Sequence, residues 1–228
     1  MLFNILQASE VIGAETQELS LSLMDLAAKG GWLMIILLIL SIVAIFIFGK
    51  KFWMIDKATK IDPHFMDDIR DYIHEGKIKS AQTLCQHYDT PVARMVETGI
   101  TRIGHPLADC QTAIENVGNA EVGRLEKGLP YLAMIAGGAP MIGFLGTVTG
   151  MIRAFFDMAN AGNNIDITHL ASGIYEAMVT TVGGLVVGIL AYFGYNFLTA
   201  KVSSVIYSME RATIKFMDVL NEPESAKE

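Results

Sequence analysis

A run of eighteen residues without a single charge, Gly31–Phe48 (GWLMIILLILSIVAIFIF), sets the first limit on what this chain can become. As a helix it reaches about 27 Å at ~1.5 Å per residue, close to the thickness of a bilayer's hydrocarbon core. Two further stretches, Leu129–Phe156 and Leu170–Thr199, each run past the ~20 residues that crossing requires. Both are rich in Gly, Ala and Thr. A 228-residue chain that is 52% hydrophobic, with a mean hydropathy of +0.40, is too apolar for an ordinary soluble domain. The chain reads as an all-α integral membrane protein with three transmembrane helices.

Basic residues set the orientation. Lys50, Lys51, Lys57 and Lys60 follow the first span, whereas Glu10, Glu15, Glu18 and Asp25 precede it against Lys29 alone. Lys201, Arg211 and Lys215 follow the third. Of the 17 Lys and Arg residues, only Lys29 and Arg153 fall on or near the outer side. The N-terminus is therefore expected outside and the C-terminus inside. The expected divisions are an outer amphipathic segment 1–29, spans 30–49, 129–156 and 169–199, an inner helical region 50–128, an outer loop 157–168 and an inner C-terminal helix and tail 200–228. The start, MLFNILQASEVIGAE, lacks the basic and apolar regions of a signal peptide.

Within the inner region, Asp62-Pro63 predicts a helix start, with Asp as N-cap and Pro in the first turn. Gly76 predicts a stop, 78–88 and 91–103 two short helices, and Pro106 the opening of another. From Leu107 to the end of span two no strong stop intervenes, so one helix of about 50 residues is expected, ~75 Å long and bent at Pro130 and Pro140. The third span is expected to continue inward to about Val219. Two of the three helices would thus extend far into the cytoplasm. Glu115, Glu121, Arg124 and Glu126 read either as the lining of a charged inner vestibule or, the favoured reading, as a solvated face with pairs such as Glu121–Arg124. Cys85 and Cys110 lack zinc or redox spacing and read as ordinary thiols.

Polar residues inside the spans carry the functional signal. Thr147 lies about 14 Å below the outer end of span two, and Thr180 about 15 Å below that of span three, with Thr181 one residue deeper. Hydroxyls at one depth in two helices can hold water or help an ion shed its shell, and Thr149 adds another. Bonding to each helix's own carbonyls is the structural alternative. Glu176, about 9 Å deep, belongs either to a proton path or to a hydrogen-bonded helix frame. Small residues, Gly173, Ala177, Gly184 and Gly188 in span three and Gly143, Gly146 and Gly150 in span two beside Pro140, allow close helix approach in lipid. Three spans enclose no pore, so a homo-oligomer around an axis or packing against a partner is expected. No phosphate-binding loop, dinucleotide fingerprint or HExxH occurs, and the five histidines lack ligand spacing. No enzymatic activity, cofactor or metal is expected, and no basic, aromatic-laced patch suggests nucleic acid.

The segments Ala139-Pro-Met-Ile-Gly143-Phe-Leu-Gly146-Thr147-Val-Thr-Gly150 and Gly173-Ile-Tyr-Glu176-Ala177-Met-Val-Thr180-Thr181-Val-Gly183 resemble the second-span and third-span signatures of the ExbB/TolQ/MotA proton-channel family. Three spans and a large inner loop fit the ExbB and TolQ branches; the longer, four-span flagellar branch does not. The resemblance implies a bacterial inner-membrane motor. Five copies would form a helical bundle around a central pore that holds two single-span ExbD-like partners, each bringing an aspartate. Protons passing there would energise a TonB-like protein for outer-membrane transport. Thr147 and Thr181 fall on the family's pore threonines and Glu176 on its intramembrane glutamate. Thr149 and Thr180 depart from the pattern and keep sodium as an alternative ion. A TolQ-like role in envelope maintenance and a passive scaffold for partner helices are the competing readings.

Overall fold

The structure, a computed structural model, describes residues 31–60, 62, 64–160 and 167–221. The expected segment 1–29, the centre of the outer loop and the polar tail lie outside the described residues. Every described element is helical: α1 Gly31–Thr59, α2 Phe65–His74, α3 Ile78–His87, α4 Pro91–Thr101, α5 Leu107–Glu126, α6 Leu129–Asn160 and α7 Ile167–Asn221. Among the described residues, three helical stretches are long and apolar enough to cross a membrane. The chain divides into two compact units. The first comprises the described residues up to Ser41 with Gly137–Ile189; the second comprises Ile42–Ala136 and the chain from Leu190 onward.

In the first unit the helices meet through glycine. A Cβ on Gly184 would lie 2.5 Å from the Ala139 carbonyl oxygen and 2.9 Å from Gly143 Cα. A Cβ on Gly150 would lie 2.7 Å from Ala177 Cβ, and one on Gly173 would lie 3.0 Å from Ala154 Cβ. These pairs run in opposite directions along the two helices, so α6 and α7 are antiparallel with backbones in contact. On another face of α7, Gly183 receives the Met34 sulfur and Leu37 of α1. Gly188 is also buried. In lipid, where apolar surface gains little from association, such close packing supplies the attraction.

The second unit packs on large side chains. Phe65, Ile69, Val96, Ile100, Ile114 and Phe216 are almost wholly buried. The C-terminal part of α7 buries Leu198, Val202, Val205, Met209, Ala212 and Phe216, an alternating spacing of four and three that keeps one apolar stripe on one face. This stripe explains why α7 runs 55 residues, well past its membrane span, without a break. Thr90 caps α4, its hydroxyl accepting from the Ala93 N–H at 3.3 Å, with Pro91 in the first turn. Cys85 and Cys110 are buried and unbridged, and burial pushes the Cys85 thiol up to about 12.

Two local expectations are corrected. The helix from Leu107 is divided after Glu126, with Gly128 at φ +100°, a conformation that favours glycine. A continuous helix would drive the Pro130 ring against the carbonyl four residues earlier; restarting at Leu129 places Pro130 in a first turn, where no N–H is needed. Pro140 does remain inside α6. Asp62 is not the cap of α2. His64 holds that position, and Asp62 closes the preceding turn by accepting the His64 N–H at 2.9 Å.

Candidate functional site

Thr147, Thr149, Glu176, Thr180 and Thr181 all belong to the first unit. Thr181 Oγ1 donates to the Gly143 carbonyl at 2.9 Å, a hydrogen bond from α7 to α6. Thr180 is 2% exposed, seated against Gly146 so closely that no Cβ fits there, and it donates to Ala177 O at 2.7 Å in its own helix. The seam thus sets Gly143–Thr147 of α6 at the level of Thr180–Thr181 of α7. Thr147 donates to Phe144 O at 2.6 Å, and Thr149 to Leu145 O at 2.9 Å. These bonds use the hydroxyl protons and leave oxygen lone pairs able to accept from water or approach a cation.

Helical rotation, about 100° per residue, sorts these groups by flank. On α6 the seam residues Gly146 and Gly150 separate Thr147 on one flank from Thr149 on the other. On α7, Ala177 and Gly184 separate Thr181 from Glu176, some 140° away. In antiparallel helices the same sense of rotation leads to the same flank, so Thr147 and Thr181 share one flank. Glu176 lies on the other, beside α1. A Cβ on Gly31, at φ +65°, would collide with Glu176 Oε1 and fall 3.4 Å from its Cδ. The five polar residues therefore occupy three environments: a threonine pair on one flank, Thr180 within the seam, and Thr149 and Glu176 on the opposite flank. Glu176 is the only carboxylate in the three spans. The threonine flank carries no carboxylate of its own.

Sequence reasoning missed a polar network in the second unit. Glu121 is only 6% exposed, not part of a solvated face. Its pair with Arg124 exists at 2.9 Å, but its main partner is Arg94, whose Nε and Nη2 donate at 3.0 and 2.7 Å. Arg94 also meets Asp89, which in turn meets Lys57 of α1 at 3.0 Å. Burial alone would raise the Glu121 carboxyl; hydrogen bonds from Arg94 and Arg124 outweigh it and hold the group below its ordinary range. Lys51, 8% exposed, donates to the carbonyls of Arg124 and Leu125 at 3.0 and 3.1 Å, closing the end of α5 just before Gly128. One signal was available: Ile114, Gly118, Glu121 and Leu125 recur at helical spacing, which puts Glu121 on the apolar stripe.

Residues 87–211 match the model of the MotA/TolQ/ExbB proton channel family, a stretch of more than half of the chain. The chain is 30% identical over 181 residues to the biopolymer transport protein ExbB-like 1 of Synechocystis sp., covering 78% of this chain and 71% of that one. It is 37% identical over 87 residues to the Tol-Pal system protein TolQ of Haemophilus influenzae, 38% of each chain. It is 41% identical over 75 residues to the biopolymer transport protein ExbB of Neisseria gonorrhoeae, 33% of this chain and 34% of that one. The last two matches thus span little more than a third of those proteins. The family is one of membrane channels rather than an enzyme class. With three membrane-length helices, and with the threonines and glycines of α6 and α7 packed as described, the chain belongs to the MotA/TolQ/ExbB proton channel family.

Proposed function

We propose that this chain is the pore-forming stator subunit of an ion-driven motor in a bacterial inner membrane. The observation that carries the proposal is the placing of Thr147 and Thr181 on one flank of a seam that the Thr181 hydroxyl bridges. Family membership supports protons as the ion. Several copies, five by the family resemblance, would turn the threonine flank toward a common axis. A single-span ExbD-like partner would supply the carboxylate that this flank lacks, and its movement would energise a TonB-like protein. In this reading the N-terminus and 157–168 are periplasmic, and 50–128 and 200–228 are cytoplasmic. Thr180 serves as packing, and Glu176 acts from beside α1 rather than from the threonine flank. The TolQ relative supports a second role of the same machine, in envelope maintenance.

The test is proton uptake by liposomes containing the protein with and without its co-expressed single-span partner. Partner-dependent flux, lost in Thr147→Val while the oligomer persists, is the expected result. Thr147 is the cleaner position because its hydroxyl bonds only within its own helix. Unchanged flux in Thr147→Val would leave the scaffold reading. Flux of sodium but not protons would change the ion. Restoration of outer-membrane transport or of envelope integrity in the respective deletion strains separates the two cellular roles.

A further inference from the structure

The three spans contain only two charged residues, Arg153 and Glu176. The seam sets both at one level. Gly150 lies against Ala177 and Ala154 against Gly173, so the stretch 150–154 of α6 faces 173–177 of α7. Arg153 falls within the first stretch and Glu176 within the second. Both lie off the seam on the flank away from Thr147 and Thr181: Arg153 about 120° round α6 from Thr147, Glu176 about 140° round α7 from Thr181. Arg153 is exposed, and among the described residues it has no ion-pair partner, although Asp157 follows one turn later. Helices packed backbone to backbone lie at the close end of the usual ~8–10 Å, a gap that an arginine and a glutamate side chain together can bridge.

A charge in a membrane span faces water, a phosphate or an opposite charge. Glu176, about 9 Å below the outer end of span three, is beyond easy reach of the outer surface. Its side chain lies against Gly31 of α1, and α1 carries no charged side chain among its first described turns. On α6 the nearest charge by register is Arg153. We infer that Arg153 is the countercharge of Glu176, pairing with it across the outer half of the α6–α7 seam. The arginine reaches inward from near the surface and the glutamate turns from Gly31 toward it. The pair would fix the rotation of α7 relative to α6, and so keep Thr181 on the flank of Thr147. Arg153 is then a positioning residue that touches no translocated ion.

The test is a double-substitution cycle on the full chain in lipid nanodiscs, reading the fraction that remains folded after a fixed heating step. Glutamine replaces each side chain without changing its bulk. Arg153→Gln and Glu176→Gln should each lower the surviving fraction about tenfold, since each leaves a lone charge in lipid. The double variant should return to within about twofold of the parent, and Arg153→Lys should stay near it. Additive losses, or a neutral Arg153→Gln beside a damaging Glu176→Gln, would overturn the pairing and leave Arg153 as an anchor in the headgroups. Rescue of Glu176→Gln by Lys29→Gln in place of Arg153→Gln would overturn it in favour of a countercharge preceding α1. Because the readout is folding rather than flux, the outcome does not depend on whether the chain conducts protons.

Discussion

The two units hold together by opposite means. In the unit containing Gly137–Ile189, the contacts are backbone against backbone: Gly184 against Ala139 and Gly143, Gly150 against Ala177, Gly146 beneath Thr180. In the unit containing Ile42–Ala136, large side chains fill the centre, and a buried carboxylate is held by arginines. The solvent accounts for the difference. Burying Phe216 or Ile100 removes apolar surface from water, a gain of roughly 1.5–3 kcal/mol per side chain. In lipid that gain vanishes, and close approach with a few hydrogen bonds remains. The large-side-chain core of the second unit is therefore sensitive to loss of volume, the glycine seam of the first to its addition.

The largest test of this contrast is Phe216→Ala, which empties the centre of the second unit and should destabilise it by about 3–5 kcal/mol, read as a fall in the melting midpoint of the full chain in detergent. Truncating the exposed Phe144 or Phe155 of the first unit to alanine should leave that midpoint nearly unmoved in a single chain. The converse change is Gly184→Val. Its new atoms meet backbone that cannot yield, so a loss near the upper end of ~1–3 kcal/mol is expected, together with increased cysteine-labelling access along the α6–α7 seam. A seam that accepts valine there without loss would mean that the glycine contacts are not what holds it.

Glu121→Gln should cost less, about 1–2 kcal/mol, because Arg94 is partly exposed and Arg124 largely so. Its signature is the pH dependence. The carboxyl sits below its ordinary value of 4.5 in the folded chain, so the unfolded chain binds the proton first. The contribution is complete above that value and is lost as pH falls through the lower, folded one. Wild type should therefore lose more stability than Glu121→Gln between about pH 5 and pH 3, and parallel curves would dismiss the network as a stabilising element. The smallest effect belongs to Thr181→Val, which removes one bond to the Gly143 carbonyl. About 0.6 kcal/mol is the ordinary worth of such a bond in a membrane helix bundle, so a large drop in conduction with an almost unchanged melting midpoint is expected.

What was legible in the sequence was what depends on near neighbours in the chain. The apolar helices follow from runs of apolar residues, the small-residue faces from spacing, the common level of Thr147 and Thr180 on two helices from counting at a fixed rise, and the starts at Pro91 and Leu107 from local capping chemistry. The break at Gly128 was partly legible, since Pro130 argues against a continuous helix; the unbroken periodicity around it concealed the turn. Glu121 illustrates the limit. Its position on the stripe with Ile114 and Leu125 was visible, but that position could be read as buried only once Arg94, 27 residues earlier, was known to meet it.

The sequence alone determined that the chain is helical, that three of its stretches suit lipid, and which polar side chains those stretches carry, because each of these is set by hydrophobicity and by the fixed geometry of one helix. Only the tertiary structure decided how those side chains divide among environments. That Thr180 is packing, that Thr181 bridges two helices, that Glu176 lies beside α1 and that Arg153 shares its level are facts of rotation and register between helices. No rule of local spacing fixes them, because they depend on which glycines interlock.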